Sequence, residues 1–139
     1  MLDNDYKDHE IHMFLVDLEK FYEKLSFGIF CWGSIGVKSI VNVDTYFYSS
    51  LKGTIKSIKN IVKGGQLNDA YALLRKYHDS IIINSYVGLY IKDNSSTQEL
   101  IVTKIDSWIK ESVKLPRYRE MNNYIKNSEL LKEINPKLQ

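Results

Sequence analysis

The chain has 139 residues, 44% hydrophobic and 26% charged, with 19 basic against 17 acidic side chains. That length and balance suit a single folded domain with its own core and exclude a disordered chain, leaving any basic surface to arrangement and not to total charge. Cys31 is the lone cysteine, which rules out an internal disulfide; between Phe30 and Trp32 it reads as a buried, inert hydrophobe.

The acidic start, with Asp3, Asn4, Asp5 and Asp8, is the opposite of a basic, apolar signal peptide. The longest uncharged run, Leu25 to Val37, holds three glycines and falls short of the ~20 residues a membrane-spanning helix needs. A cytoplasmic protein with no membrane partner is expected. Lysine outnumbers arginine 16 to 3, and Ile, Asn and Tyr are abundant; these residues have A/T-rich codons, which points to a low-GC bacterium or one of its phages.

The apolar residues recur at spacings of three and four along most of the chain, which predicts an all-α protein. A first helix is expected from about Asp8 to Phe27, with Ile11, Phe14, Leu18, Phe21 and Leu25 on one stripe and Leu15 and Tyr22 beside it. The glycine-punctuated stretch from Gly28 to Val43 is ambiguous, since Ile40, Val41 and Val43 would also suit a short strand. Asp44 is a good N-cap for a second helix carrying Leu51, Ile55, Ile58 and Val62, and Gly64-Gly65 supplies its left-handed stop.

A third helix from about Leu67 to Lys92 places Leu67, Ala70, Leu74, Tyr77 and Ile81 in register. Its run Ile81-Ile82-Ile83 is apolar nearly all round, as in the most buried helix of a bundle. After Asp93-Asn94-Ser95, the sequence Ser96-Thr97-Gln98-Glu99 matches a capping box for a fourth helix with Ile101, Ile105 and Trp108. Pro116 is expected to end it, and a fifth helix from Tyr118 carries Met121, Tyr124, Ile125 and Leu131. Short connections favour an antiparallel up-and-down bundle of four to five helices spanning residues 1–139 as one domain, and the tail Asn135-Pro136-Lys137-Leu138-Gln139 also suits the front part of a longer protein.

Three groups could carry function. Lys52, Lys56, Lys59 and Lys63 are spaced four, three and four apart, roughly opposite the apolar stripe, with no acidic residue between Asp44 and Asp69. Such a row could follow a phosphate backbone of RNA or DNA, or form a solvated face. Arg117 and Arg119 flank Tyr118, with Lys110 and Lys114 before them; they could hold a phosphate and stack a base, or cap the carbonyl end of the fourth helix. Tyr71, Arg75, His78 and Asp79 share one face of the third helix. There a partly desolvated guanidinium would need its i+4 carboxylate, either as a clamp between helices or as a polar site with His78 as acid or base.

Other chemistry is not encoded. The sequence has no phosphate-binding glycine loop, nucleophile elbow or Cys/His cluster with zinc spacing. His9 and His12 could share a helix face, but two imidazoles near a terminus do not make a metal site. Neither a metal nor a cofactor is expected.

The stretch Leu67-Asn68-Asp69-Ala70-Tyr71-Ala72-Leu73-Leu74-Arg75-Lys76-Tyr77-His78-Asp79, entered from a glycine turn, resembles the central helix of bacterial HEPN-like proteins. The resemblance covers about Asp44 to Lys92. It implies an antiparallel helical bundle, often dimeric, in toxin–antitoxin or anti-phage systems, where many members are metal-independent ribonucleases. Those ribonucleases place four to six residues between an arginine and a following histidine, whereas Arg75 and His78 have only two between them. The motif is absent, so the resemblance implies a non-catalytic member, or a fragment whose catalytic segment lies beyond Gln139.

The favoured expectation is a non-enzymatic protein-interaction module that pairs with itself or with a partner protein. Its ten tyrosines, five phenylalanines and two tryptophans exceed what a small core readily hides, and aromatic residues are enriched at interfaces. A nucleic-acid-binding domain using the lysine row and a degenerate or partial HEPN-type ribonuclease are the alternatives.

Overall fold

A computed structural model describes residues 3–32, 38–94 and 98–134, and over them the protein is all-α. The helices are α1 (Asn4–Lys7), α2 (Ile11–Trp32), α3 (Lys38–Lys63), α4 (Leu67–Asp93), α5 (Gln98–Ile109), α6 (Tyr118–Lys126) and α7 (Glu129–Ile134). None of the described helices is long and apolar enough to cross a membrane. The chain clusters into two compact units, Met1–His78 and Asp79–Gln139.

In the amino-terminal unit, α3 is the central element. Leu51, Ile55, Ile58 and Val62 follow the helical repeat and are buried, Leu51 and Ile55 almost completely. Thr54 is buried with them and satisfied, its hydroxyl donating to the Ser50 carbonyl at 3.0 Å. Antiparallel pairing of α2 with α3 follows from the partners they share. Ser26 bonds Ser49, Glu23 meets Lys52 and Glu19 meets Lys59, so one residue number falls as the other rises.

The first helix of the sequence reading starts later and is rotated. His9 stands ahead of it, its Nδ1 accepting the Ile11 backbone N–H at 3.1 Å, one of the donors a helix start leaves open. Leu15 and Tyr22 make the buried edge, while Phe14 and Phe21, expected on the core stripe, are 60% and 54% exposed. The apolar arc of α2 is wider than one neighbour covers, and α3 takes the Leu15 side.

Two expectations around Asp44 are overturned. The helix begins at Lys38, so Asp44 lies inside it and is not its cap, and Ile40, Val41 and Val43 are helical and not in a strand. Ile40, Phe47, Leu51, Ile55, Ile58 and Val62 continue one seven/four/three repeat, and that period outweighs the small helix penalty of β-branched residues. Asp44 falls on the same arc, where burial pushes its carboxyl up. The surroundings of the Cys31, Ile40, Val41 and Val43 side chains lie outside the described residues, as do Ser95, the Ser96-Thr97 start of the capping box and the tail from Asn135.

At the end of α3, Gly65 has φ 76°. Its N–H bonds the Val62 carbonyl at 2.9 Å and the Gln66 N–H bonds Ile61 at 3.1 Å, the paired bonds of a Schellman stop. Val62 is also the anchor of the amino-terminal segment, because the Tyr6 hydroxyl donates to its carbonyl at 2.5 Å. His12 backs this turn, its Nε2–H donating to the Tyr6 carbonyl at 2.9 Å.

In the carboxy-terminal unit, the core comprises Tyr86 and Leu89 of α4, Ile101, Ile105 and Trp108 of α5, and Met121 of α6. Tyr86 centres an aromatic cluster, 5.8 Å from Trp108 and 5.2 Å edge-on from Tyr124, spacings at which offset and edge contacts are favourable. The Tyr124 hydroxyl donates to Asp93 at 2.7 Å. Burial, and then that carboxylate, push its pKa up to about 12. Ile81, Ile82 and Ile83 are half-buried, so this run is not the fully enclosed stretch expected of it.

The fourth helix ends at Ile109, before Pro116 can act. Glu111 takes a left-handed φ of 55° while the Ser112 hydroxyl donates to the Ser107 carbonyl at 3.1 Å. The fifth helix is two: Asn127 caps α6, its N–H reaching the Asn123 carbonyl at 3.1 Å, and Glu129 starts α7. Asn and Ser side chains compete for backbone groups, which makes Asn127-Ser128 a natural break.

Candidate functional site

Between α2 and α4, over the α3 core, the amino-terminal unit holds an open apolar groove of about 650 Å3. Its floor is Leu15, Ile55, Ile58, Val62 and Ala70, all buried. The α2 bank presents Ile11, Phe14 and Leu18, and the α4 bank Leu67, Tyr71, Leu74 and Tyr77. Tyr6 and His9 close the end nearest the amino terminus. The volume is that of a ligand-sized cleft, but the walls are exposed: Phe14 60%, Tyr71 68%, Leu67 and Leu74 47% each.

The banks are held apart by pairing at one end. Tyr22 of α2 and Tyr77 of α4 share a hydroxyl–hydroxyl hydrogen bond of 2.7 Å with their rings edge-on at 6.1 Å. Burial first, and then Tyr77, push the Tyr22 phenol far above the usual range. This bond ties α2 to α4 at that level.

The lysine row is divided. Lys52 bonds Glu23 at 2.5 Å and Lys59 is ion-paired with Glu19. Both lysines are half-buried, and the Lys59 pair is the more enclosed, with side-chain exposures of 18% and 16%. Lys56 and Lys63 are exposed. At ~100° per residue, the row lies beside the Leu51–Val62 arc and not opposite it, which brings α2 within reach. The missing countercharge comes from another helix, where local sequence could not show it. The Glu23 carboxyl is held below its ordinary value, mainly by the Lys52 hydrogen bond and then by its charge.

Arg117 and Arg119 are exposed and belong to the carboxy-terminal unit. Neither caps the end of α5. Arg117 precedes α6, and its backbone N–H is accepted by Glu120 at 3.1 Å, so the pair marks a helix start. Lys110 is bridged to Asp106 at 3.6 Å.

Tyr71, Arg75, His78 and Asp79 are all exposed, so the partly desolvated guanidinium expected from sequence is not found. The α4 surface around Arg75 faces solvent because only the Ala70–Tyr77 side of this half-helix packs inward. Tyr71 is part of the groove wall, and Arg75 follows one turn later at its outer edge. His9 and His12 do not form a pair: one starts α2 and the other turns to Tyr6. No cluster that could hold a metal ion occurs among the described residues.

The groove was not among the sequence-derived sites. Its signal was present in the excess width of the α2 apolar arc and in the aromatic surplus. No family model, curated protein or solved structure matches this chain.

Proposed function

We propose that the protein is a non-enzymatic helical interaction module whose working surface is the α2/α4 groove. The observation that carries this reading is the groove itself: a buried aliphatic floor between two banks of half-exposed large hydrophobic side chains. An apolar patch of that kind on a small protein marks a protein-binding surface. The lone cysteine and the lysine-rich, arginine-poor composition support a bacterial cytoplasmic setting for it, and the HEPN-like pattern of α4 supports a role in a defence or toxin–antitoxin system.

The nucleic-acid reading loses support from the two lysines already spent on Glu19 and Glu23, which leaves Lys56 and Lys63 of the row. A ribonuclease role for Arg75 and His78 has the same sequence obstacle as before.

The test is a photo-crosslinking residue placed at Tyr71, and in a control at exposed Lys56, in cells making the protein. Protein adducts mapped by mass spectrometry to position 71 and absent at 56 are the expected result. No adduct at 71, or equal labelling at both positions, would remove the groove as a docking surface.

A further inference from the structure

We infer that the connection between α5 and α6 is a docking surface for an anionic lipid bilayer, which the protein meets from one side. The surface lies wholly within the carboxy-terminal unit and does not depend on the reading of the groove.

The first observation is apolar. Ile109 is 58%, Val113 41% and Tyr118 46% exposed, although the backbone that carries them is held in place. The Val113 N–H and the Ser112 hydroxyl both donate to the Ser107 carbonyl, at 3.2 and 3.1 Å. Together with the left-handed Glu111, these bonds fold the chain back against the last turn of α5. Leu115 and Pro116, both half-buried, then lead into α6. Ile109 and Val113 are therefore displayed by a hydrogen-bonded turn. Aliphatic side chains standing in water cost free energy that an apolar partner would recover.

The second observation is charge. From Ile109 to Arg119 the chain carries four cations and one carboxylate, Glu111. Lys114, Arg117 and Arg119 are exposed, and none of the three is ion-paired among the described residues. The carboxylates flanking the stretch are engaged. Asp106 is bridged to Lys110 at 3.6 Å, and Glu120 is turned to the Arg117 backbone N–H at 3.1 Å.

Cations interleaved with aliphatic side chains suit the boundary between lipid headgroups and acyl chains. Lysine and arginine reach phosphates there while their stems stay on the apolar side, and tyrosine favours that depth. A nucleic acid would use the cations and stack on Tyr118, but Ile109 and Val113 would add nothing to it. Those two residues decide for lipid. The expectation of no membrane partner rested on the lack of a spanning segment, which a one-sided contact does not need; no described helix is long and apolar enough to span.

Co-sedimentation with vesicles of phosphatidylglycerol and phosphatidylcholine tests the assignment. At low salt the protein should pellet with them, and should stay in solution with phosphatidylcholine alone. Ile109→Ser with Val113→Ser, and Arg117→Glu with Arg119→Glu, should each weaken the partition at least about tenfold. Both pairs are exposed, and acidic residues suit the start of a helix, so circular dichroism should show unchanged helix content. Lys56→Glu, which removes an exposed cation of α3, should bind as the wild type does. No binding to the anionic vesicles would overturn the proposal, and so would binding that the serine pair leaves unchanged. A single-stranded RNA oligonucleotide that displaces the vesicles, and binds the serine pair as well as the wild type, would assign the surface to nucleic acid instead.

Discussion

The lysines of α3 show how one residue can be misjudged by its neighbours in sequence. Their countercharges, Glu19 and Glu23, lie 40 and 29 residues away, and helix α2 supplies them only because it runs antiparallel to α3 in the observed register. Glu23 gives a pH prediction. Its folded-state value is lowered below 4.5 by the Lys52 bond, so its contribution to stability is present above 4.5 and is lost as pH falls through the lowered value. Carboxyl titration by NMR should place Glu23 below an ordinary glutamate, and Lys52→Met should return it to the ordinary range. Added salt should shrink the difference, since the pair faces solvent. Asp44 is the converse case: read as a cap from its residue type, it sits inside a helix that starts at Lys38, six residues earlier. Residue identity suggested the cap, and the longer repeat decided the outcome.

At the scale of elements, the all-α character and the cores of α3 and α5 could be read from spacing alone, because Leu51, Ile55, Ile58 and Val62, and likewise Ile101, Ile105 and Trp108, leave one solution; of the α4 stripe Leu67, Ala70, Leu74, Tyr77 and Ile81, only Ala70 is buried. Helix ends were less legible wherever a non-glycine residue makes the stop. Gly64-Gly65 announced its Schellman turn, but Glu111 takes a left-handed conformation that its side chain disfavours by about 1 kcal/mol. Glu111→Gly should therefore stabilise the protein by up to about 1 kcal/mol, offset in part by the greater freedom of glycine in the unfolded chain. Urea denaturation checks this; an unchanged or lower midpoint would show that Glu111 makes a compensating contact. The α2 stripe was found but its orientation was not. A helix whose apolar arc spans Ile11, Phe14, Leu18, Leu15 and Tyr22 does not itself say which edge meets α3 and which remains for something else. That undecided edge became the groove, which is why the candidate site was illegible while its constituent residues were in plain view.

For the whole molecule, the Tyr6 anchor has a consequence beyond packing. It ties the start of the chain to the Val62 end of α3, at one extremity of the groove. Tyr6→Phe should therefore free the amino-terminal turn from α3 and raise proteolytic cleavage ahead of Ile11, while the other end of the groove, tied by Tyr22 and Tyr77, keeps its protection; limited proteolysis checks it. The first turn of the chain thus works as a latch on one mouth of the groove, and how wide that mouth stands rests on a single phenol.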